Sequence, residues 1–191
     1  MQKDWLKVEK VLKSGGIAVI PTDTLYGLVA SAFDKKAIEK IYKIKERDKS
    51  KALIVLISSF KDLEKFGIKV IKEQAKILEK FWPGQVSVLL SCKSNKFKYI
   101  HSGTGEIAFR MIGPRNKNLY NLLRKVGPIV APSANRENGK PAETIKEAKE
   151  YFDDKVDYYI NSGKKVGEPS TLVRVKEGKI EVLRQGRVFL I

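Results

Sequence analysis

Lys45-Glu46-Arg47-Asp48-Lys49-Ser50-Lys51-Ala52-Leu53-Ile54-Val55-Leu56-Ile57 joins two different periodicities across one charged loop. Before it, Ile38, Ile41 and Ile44 recur at i, i+3 and i+6, the spacing of a helix face. After it, the unbroken apolar run to Ile57 reads as a buried strand. Four cations therefore crowd a helix-to-strand connection, which is an anion site in outline. Standing alone, the same residues would equally make a solvated charge run, so the neighbouring stretches have to decide.

On the N-terminal side, a Lys/Glu-rich helix carrying Leu6, Val8, Val11 and Leu12 closes at Ser14-Gly15-Gly16. The strand Ile17–Ile20 follows and Pro21 stops it. Thr22-Asp23-Thr24-Leu25-Tyr26-Gly27-Leu28 is then a hydroxyl-dense strand exit, where α/β proteins place ligands.

On the C-terminal side, Ser58–Phe66 and Ile71–Phe81 read as helices. Trp82-Pro83-Gly84 breaks the chain before the strand Val86–Leu90. The polar segment Ser91–Gly105 is expected to be a mobile surface loop, and Lys93–Gly105 a lid. Ile107–Ile112 is a strand with Arg110 inside an apolar run. A buried guanidinium needs either an internal acid or a ligand carboxylate or phosphate.

A helix over Asn118–Val126 leads to the strand Ile129–Pro132. The next polar exit, Ser133-Ala134-Asn135, puts Ser133 and Asn135 on one side. Thr144-Ile145-Lys146-Glu147 has capping-box spacing, with Thr144 as N-cap. Ser170-Thr171 opens the strand Leu172–Val175, and Glu177-Gly178 turns it into a hairpin with Ile180–Arg184. Strands alternating with helical patterns make this an α/β chain with a mixed sheet, and its 191 residues suit a single domain over 1–191.

Lys+Arg 38 against Asp+Glu 22 gives a net charge of +16, which favours a polyanionic substrate or partner. One cysteine and one histidine leave little material for a disulfide, a metal cluster or a Ser-His-Asp triad. No apolar run is long enough to span a membrane and the N-terminus lacks a signal-peptide core, so the expected location is cytoplasmic.

Pro21–Leu28, Lys45-x-Arg47, Leu53-Ile54-Val55, Trp82-Pro83-Gly84, Phe109-Arg110, Pro132-Ser133-Ala134-Asn135 and Ser170-Thr171-Leu172-Val173 lie in this order between Gly15 and Gly186. Together they resemble the YrdC-type threonylcarbamoyl-adenylate synthase family, in its short, single-domain branch. The resemblance implies a YrdC/RibB-like twisted mixed β-sheet with flanking helices and a basic concave face. It also implies an enzyme that condenses L-threonine, bicarbonate and ATP, with Mg2+ accompanying the nucleotide, into threonylcarbamoyl-AMP and pyrophosphate. The product serves t6A modification at tRNA position 37 through a downstream threonylcarbamoyl-transferase complex.

Carried over position by position, the resemblance makes Lys45, Arg47, Ser133 and Asn135 the catalytic tetrad. Arg47, Lys51, Ser133, Asn135, Thr144 and Arg184 would surround ATP, and Thr24, Tyr26, Arg110 and Ser170 would surround threonine. The chain departs from the pattern at Leu56, where two-domain relatives carry a histidine near threonine, and at Ala52, Glu106 and Pro169. Adenylation needs charge neutralised on departing pyrophosphate, which suits this set of cations and donors without a covalent nucleophile or a dedicated metal cage. Because the Arg47 loop is expected to be solvent-lined, removing Arg47 should leave stability nearly untouched or slightly raised by relief of repulsion from Lys45, Lys49 and Lys51. The competing reading is a non-catalytic module for double-stranded RNA or tRNA, gripping phosphates by charge alone. A third reading keeps the fold and binds nucleotide without turnover.

Overall fold

The computed structural model describes residues 2–176 and 179–190. In chain order the elements are α1 (Gln2–Lys13), β1 (Ala18–Pro21), β2 (Tyr26–Ser31), α2 (Lys35–Ile44), β3 (Ile54–Ile57), α3 (Lys61–Glu64), α4 (Lys72–Leu78) and β4 (Val86–Ser91). They continue with α5 (Lys98–His101), β5 (Glu106–Met111), α6 (Lys117–Val126), β6 (Ile129–Val130), α7 (Ile145–Phe152), β7 (Tyr158–Tyr159), β8 (Thr171–Lys176) and β9 (Lys179–Arg184). The strands form one mixed sheet in the order β7-β1-β2-β6-β3-β5-β4-β8-β9. β1–β7, β3–β5 and β4–β8 are parallel and the remaining neighbours antiparallel.

Strand alternation divides the residues between two faces, and that division creates the site. Ile107, Phe109 and Met111 of β5, with Val55 and Ile57 of β3, enter the larger core, which also takes Ile38 and Ile41 of α2 and Ile100 of α5. Phe66 sits at the centre of an aromatic cluster there, 4.9 Å from Phe97 and 5.0 Å from Phe109 between ring centroids. The opposite face is covered at one end by α1 and α6, whose Val8, Leu12, Leu119 and Leu122 pack on Ile20, Val29, Leu56 and Ile129. Beyond those helices that face stays open, and Ala108 and Arg110 of β5 look into a cleft.

Three expectations are corrected. Tyr26–Ser31 is a full strand rather than an exit loop, because Tyr26, Leu28, Val29 and Ala30 all find apolar partners on one face or the other. The segment expected to be a mobile loop and lid is packed instead. It folds into a 3-10 turn over Asn95–Phe97 and then α5, burying Phe97, Ile100 and His101. The helices expected over Ser58–Phe66 and Ile71–Phe81 shorten to α3 and α4. The Glu177-Gly178 turn lies outside the described residues, while the hairpin it was read from is present as the antiparallel pair β8–β9.

Candidate active site

A cavity of about 390 Å3 occupies the open face. Register sets its geometry. Across the sheet, Leu56 of β3 lies level with Arg110 of β5, and Leu172 of β8 lies level with Ser87 of β4 and with Arg184 of β9. Two residues along β5, Ala108 pairs with Ile54 and Leu89, and Leu89 pairs with Arg174. One end thus carries guanidinium and hydroxyl groups, the middle is apolar, and Thr104 and Glu106 stand at the far side.

Arg110 is 3% exposed, so its charge has to be compensated internally. Its Nη2 lies 2.9 Å from Asp23 Oδ1, while its Nε has no hydrogen-bond partner. Burial pushes the Arg110 pKa down and the Asp23 carboxylate opposes that. The first sequence alternative, an internal acid partner, is the one observed, and Arg110 also lines the cleft. Arg184 donates to Ser170 O at 2.8 Å, and its pKa is lowered by desolvation and then by the charges of Arg110 and Arg47. Three guanidinium groups thus act on one region, an arrangement that an anion would relieve. Close passage of the chain beneath Arg184 depends on Gly186, where a side chain would run into the backbone of Pro169 and Ser170.

The charged loop of residues 45–51 is stitched to the exit at 133–139. Lys45 is 2% exposed and its Nζ donates to Ser133 O at 2.6 Å and Asn135 O at 2.5 Å. In return Glu137 N donates to Lys45 O at 2.8 Å, Asp48 N donates to Glu137 Oε2 at 2.6 Å, and Lys51 pairs with Glu137. Ser133 Oγ donates to Asn135 Oδ1 at 2.6 Å, and Asn135 Nδ2 donates to Arg136 O and Gly139 O. Arg47 donates from Nε to Lys51 O at 3.3 Å and from Nη2 to Ala52 O at 3.1 Å. The stitching places Arg47 and Ser133 together on the cleft wall.

Of the sequence-predicted residues, Thr24, Tyr26, Arg47, Arg110, Ser133, Ser170 and Arg184 line the cleft. Lys45 and Asn135 lie behind its wall, where they shape the backbone. Lys51 is turned to Glu137, and Thr144 caps α7 by accepting from Glu147 N at 3.2 Å. Tyr26 is fully buried and donates to Gly163 O at 2.8 Å, so its hydroxyl is committed to that loop. Ser170 Oγ lies 2.8 Å from Ser87 Oγ. Sequence reasoning missed Asp23, Thr22, Ser87, Thr104 and Arg174. Asp23 had a signal, because the buried arginine called for an acid. Arg174 had the alternation of its strand.

His101 explains how Thr104 is held. Its Nδ1 accepts from Gly103 N at 3.1 Å and Gly105 N at 3.3 Å, which assigns the ring proton to Nε2, facing Ser94 O. The single histidine is a structural pin.

Lys45 gives a testable pH dependence. Burial, reinforced by Arg47 and opposed by Glu137, lowers its pKa from 10.5 to about 7. Between those values the unfolded chain holds the proton that the fold has released, so stability rises with pH across that window. Lys45→Met removes the titrating amine. Urea midpoints measured from pH 7 to 10 should then rise less steeply than in the parent, and an unchanged slope would contradict the assignment.

Comparison with known proteins bears on the same residues. The sequence profile of the Sua5_yciO_yrdC family, described as telomere recombination, matches residues 10–186, which span the cleft. The chain belongs to the Sua5/YciO/YrdC family. Threonylcarbamoyl-AMP synthase of Pyrococcus abyssi is 32% identical over 178 residues, 92% of this chain and 52% of that protein. A Methanocaldococcus jannaschii relative is 32% identical over 183 residues, covering 94% of this chain and 84% of its own. The chain therefore spans about half the length of some family relatives it matches and most of others. The crystal structure of P. abyssi Sua5 complexed with L-threonine superposes with a TM-score of 0.86 at 30% identity, over 97% of this chain and 55% of that one. The twisted mixed sheet with flanking helices expected of the Sua5/YciO/YrdC family is the fold observed. No helix among the described residues is long and apolar enough to cross a membrane.

Proposed function

We propose that this chain is an L-threonylcarbamoyladenylate synthase, joining L-threonine, bicarbonate and ATP into threonylcarbamoyl-AMP with release of pyrophosphate. One observation carries the reading: Arg47, Arg110 and Arg184 act on one cleft with a buried, unpartnered Arg110 Nε, in a member of a family whose relatives bear that name. We take residues 1–191 as one such domain, since strands from both ends of the described chain join a single sheet.

In this reading Arg110, held by Asp23, takes the amino-acid carboxylate, and Thr24 and Ser170 flank it. The L-threonine complex of P. abyssi Sua5 supports threonine as the amino acid. Arg47, Arg184 and Ser133 take the triphosphate, whose Mg2+ arrives as part of the substrate. Lys45 and Asn135 act through the backbone they hold. Lys51 reaches ATP only by releasing Glu137, and Thr144 through the α7 N-terminus it caps.

Bicarbonate takes up a proton and leaves as CO2 and water; the neutral threonine amine adds to the CO2 carbon and gives up a proton, leaving an N-carboxylate. One of its oxygens attacks the α-phosphorus and the bond to pyrophosphate breaks. Donors fixed before the reaction lower the cost of charge moving onto the leaving group. Labelled bicarbonate should enter a nucleotide-linked product only when threonine and ATP are both present; label that never enters such a product would contradict the reading.

RNA contact is the second reading, favoured by where the lysines are. The 38 cations comprise 8 arginines and 30 lysines. The cleft takes Arg47, Arg110, Arg174 and Arg184 and no described lysine, so most of the surplus charge lies outside it. We propose that this outer charge meets tRNA during delivery to the downstream transferase complex, in the cytoplasm. The logarithm of affinity for unrelated RNAs should fall linearly with log salt at similar slopes, with a magnitude of roughly 0.7–0.9 per phosphate contact. A salt-insensitive affinity would contradict it.

A further inference from the structure

Glu106 is the one carboxylate side chain lining the cleft among the described residues. It is anchored rather than loose: Arg174 Nε donates to its Oε1 at 3.3 Å and Arg174 Nη2 to its Oε2 at 2.9 Å. The third arm of that guanidinium, Nη1, donates to Glu181 at 3.2 Å. Two carboxylates therefore neutralise Arg174, while of the described ion pairs only Arg110–Asp23 involves Arg47, Arg110 or Arg184. Position separates the groups as well. Glu106 lies four residues from Arg110 along β5, roughly 13 Å at the rise of an extended strand.

A triphosphate is drawn to the end where the arginines outnumber their carboxylate contacts and repelled by the carboxylate pair. Between them the floor is apolar, made by Ile54, Leu89, Ala108 and Leu172, and suits a base. The uncharged part of a nucleotide would therefore lie toward Glu106. Each Glu106 oxygen has accepted one bond and keeps acceptor capacity, and the side chain is about a third exposed, within a ligand's reach. Two acceptors on separate atoms match two donors on separate atoms, the vicinal hydroxyls of a ribose, better than the two hydrogens of one amino nitrogen.

We propose that Glu106, positioned by Arg174, is a ribose-reading residue that makes this chain select ribonucleotides over deoxyribonucleotides. The inference rests on ATP occupying the cleft as proposed above. The test measures binding of ATP, 2′-deoxy-ATP and ITP by calorimetry, alongside threonine-dependent pyrophosphate release, for the parent, Glu106→Ala and Glu106→Gln. The parent is expected to bind ATP about tenfold or more tighter than 2′-deoxy-ATP. Glu106→Ala should bring the two within about twofold, Glu106→Gln should fall between, and the ATP/ITP ratio should not move. Equal binding of ATP and 2′-deoxy-ATP by the parent, or a preference that survives Glu106→Ala, overturns the proposal. So does a change confined to the ITP ratio. If ATP binds with the predicted ratios but no threonine-dependent release occurs, the activity assignment fails and the ribose assignment stands. If nothing binds, both fail.

Discussion

Arg110→Lys should lower threonine-dependent turnover by about 10²-fold while the protein still folds. The lysine keeps one positive charge beside Asp23, so no acid is left buried and unpaired. It loses the planar fork, including the buried Nε that has no hydrogen-bond partner. Arg110→Ala is the less informative change, because stranding Asp23 costs about 3–5 kcal/mol and mixes folding with function. The measurement is kcat/KM for threonine beside the urea midpoint of the same preparation. Normal turnover in the lysine variant would make Arg110 a purely structural partner of Asp23.

Arg47→Ala should lower the rate by about 10²-fold or more and weaken ATP binding by a smaller factor, since its contacts strengthen as charge moves onto pyrophosphate. The structure changes the expectation for stability. Arg47 donates to the carbonyls of Lys51 and Ala52, so the variant should lose about 1–2 kcal/mol rather than none. It should also raise the Lys45 pKa, because Arg47 is one of the causes holding it down. Single-turnover rate against melting temperature separates the two roles. Unchanged rate with lowered stability would leave the residue as a loop clamp.

Much of this was legible in the chain because local chemistry and tertiary role agreed. The helix face Ile38-Ile41-Ile44, the apolar strand after it and the Thr144 cap all formed as their periodicity and capping chemistry require. The clustered cations at 45–51 were legible as a group but not as individuals. Lys45 turns inward to bind carbonyls and Lys51 turns away to Glu137, choices made by the distant loop at 133–139. Tyr26–Ser31 was hidden because a strand buried on both faces shows no alternation. The segment 91–105 was misread because its lysines outnumber Phe97 and Ile100, and those two residues decide its packing. β6, only Ile129–Val130, inserts between β2 and β3, an order that no local pattern encodes. The Asp23–Arg110 pair joins distant positions, so sequence could call for an acid without saying which.

In the proposed function one cleft couples ATP, bicarbonate and a single amino acid. The direct measurement is pyrophosphate release by purified protein with ATP and bicarbonate, adding each of the twenty amino acids in turn. Release is expected with threonine, far slower release with the others, and loss of the signal when bicarbonate is removed. Release that proceeds equally without threonine, or no release under any combination, would contradict the proposed function.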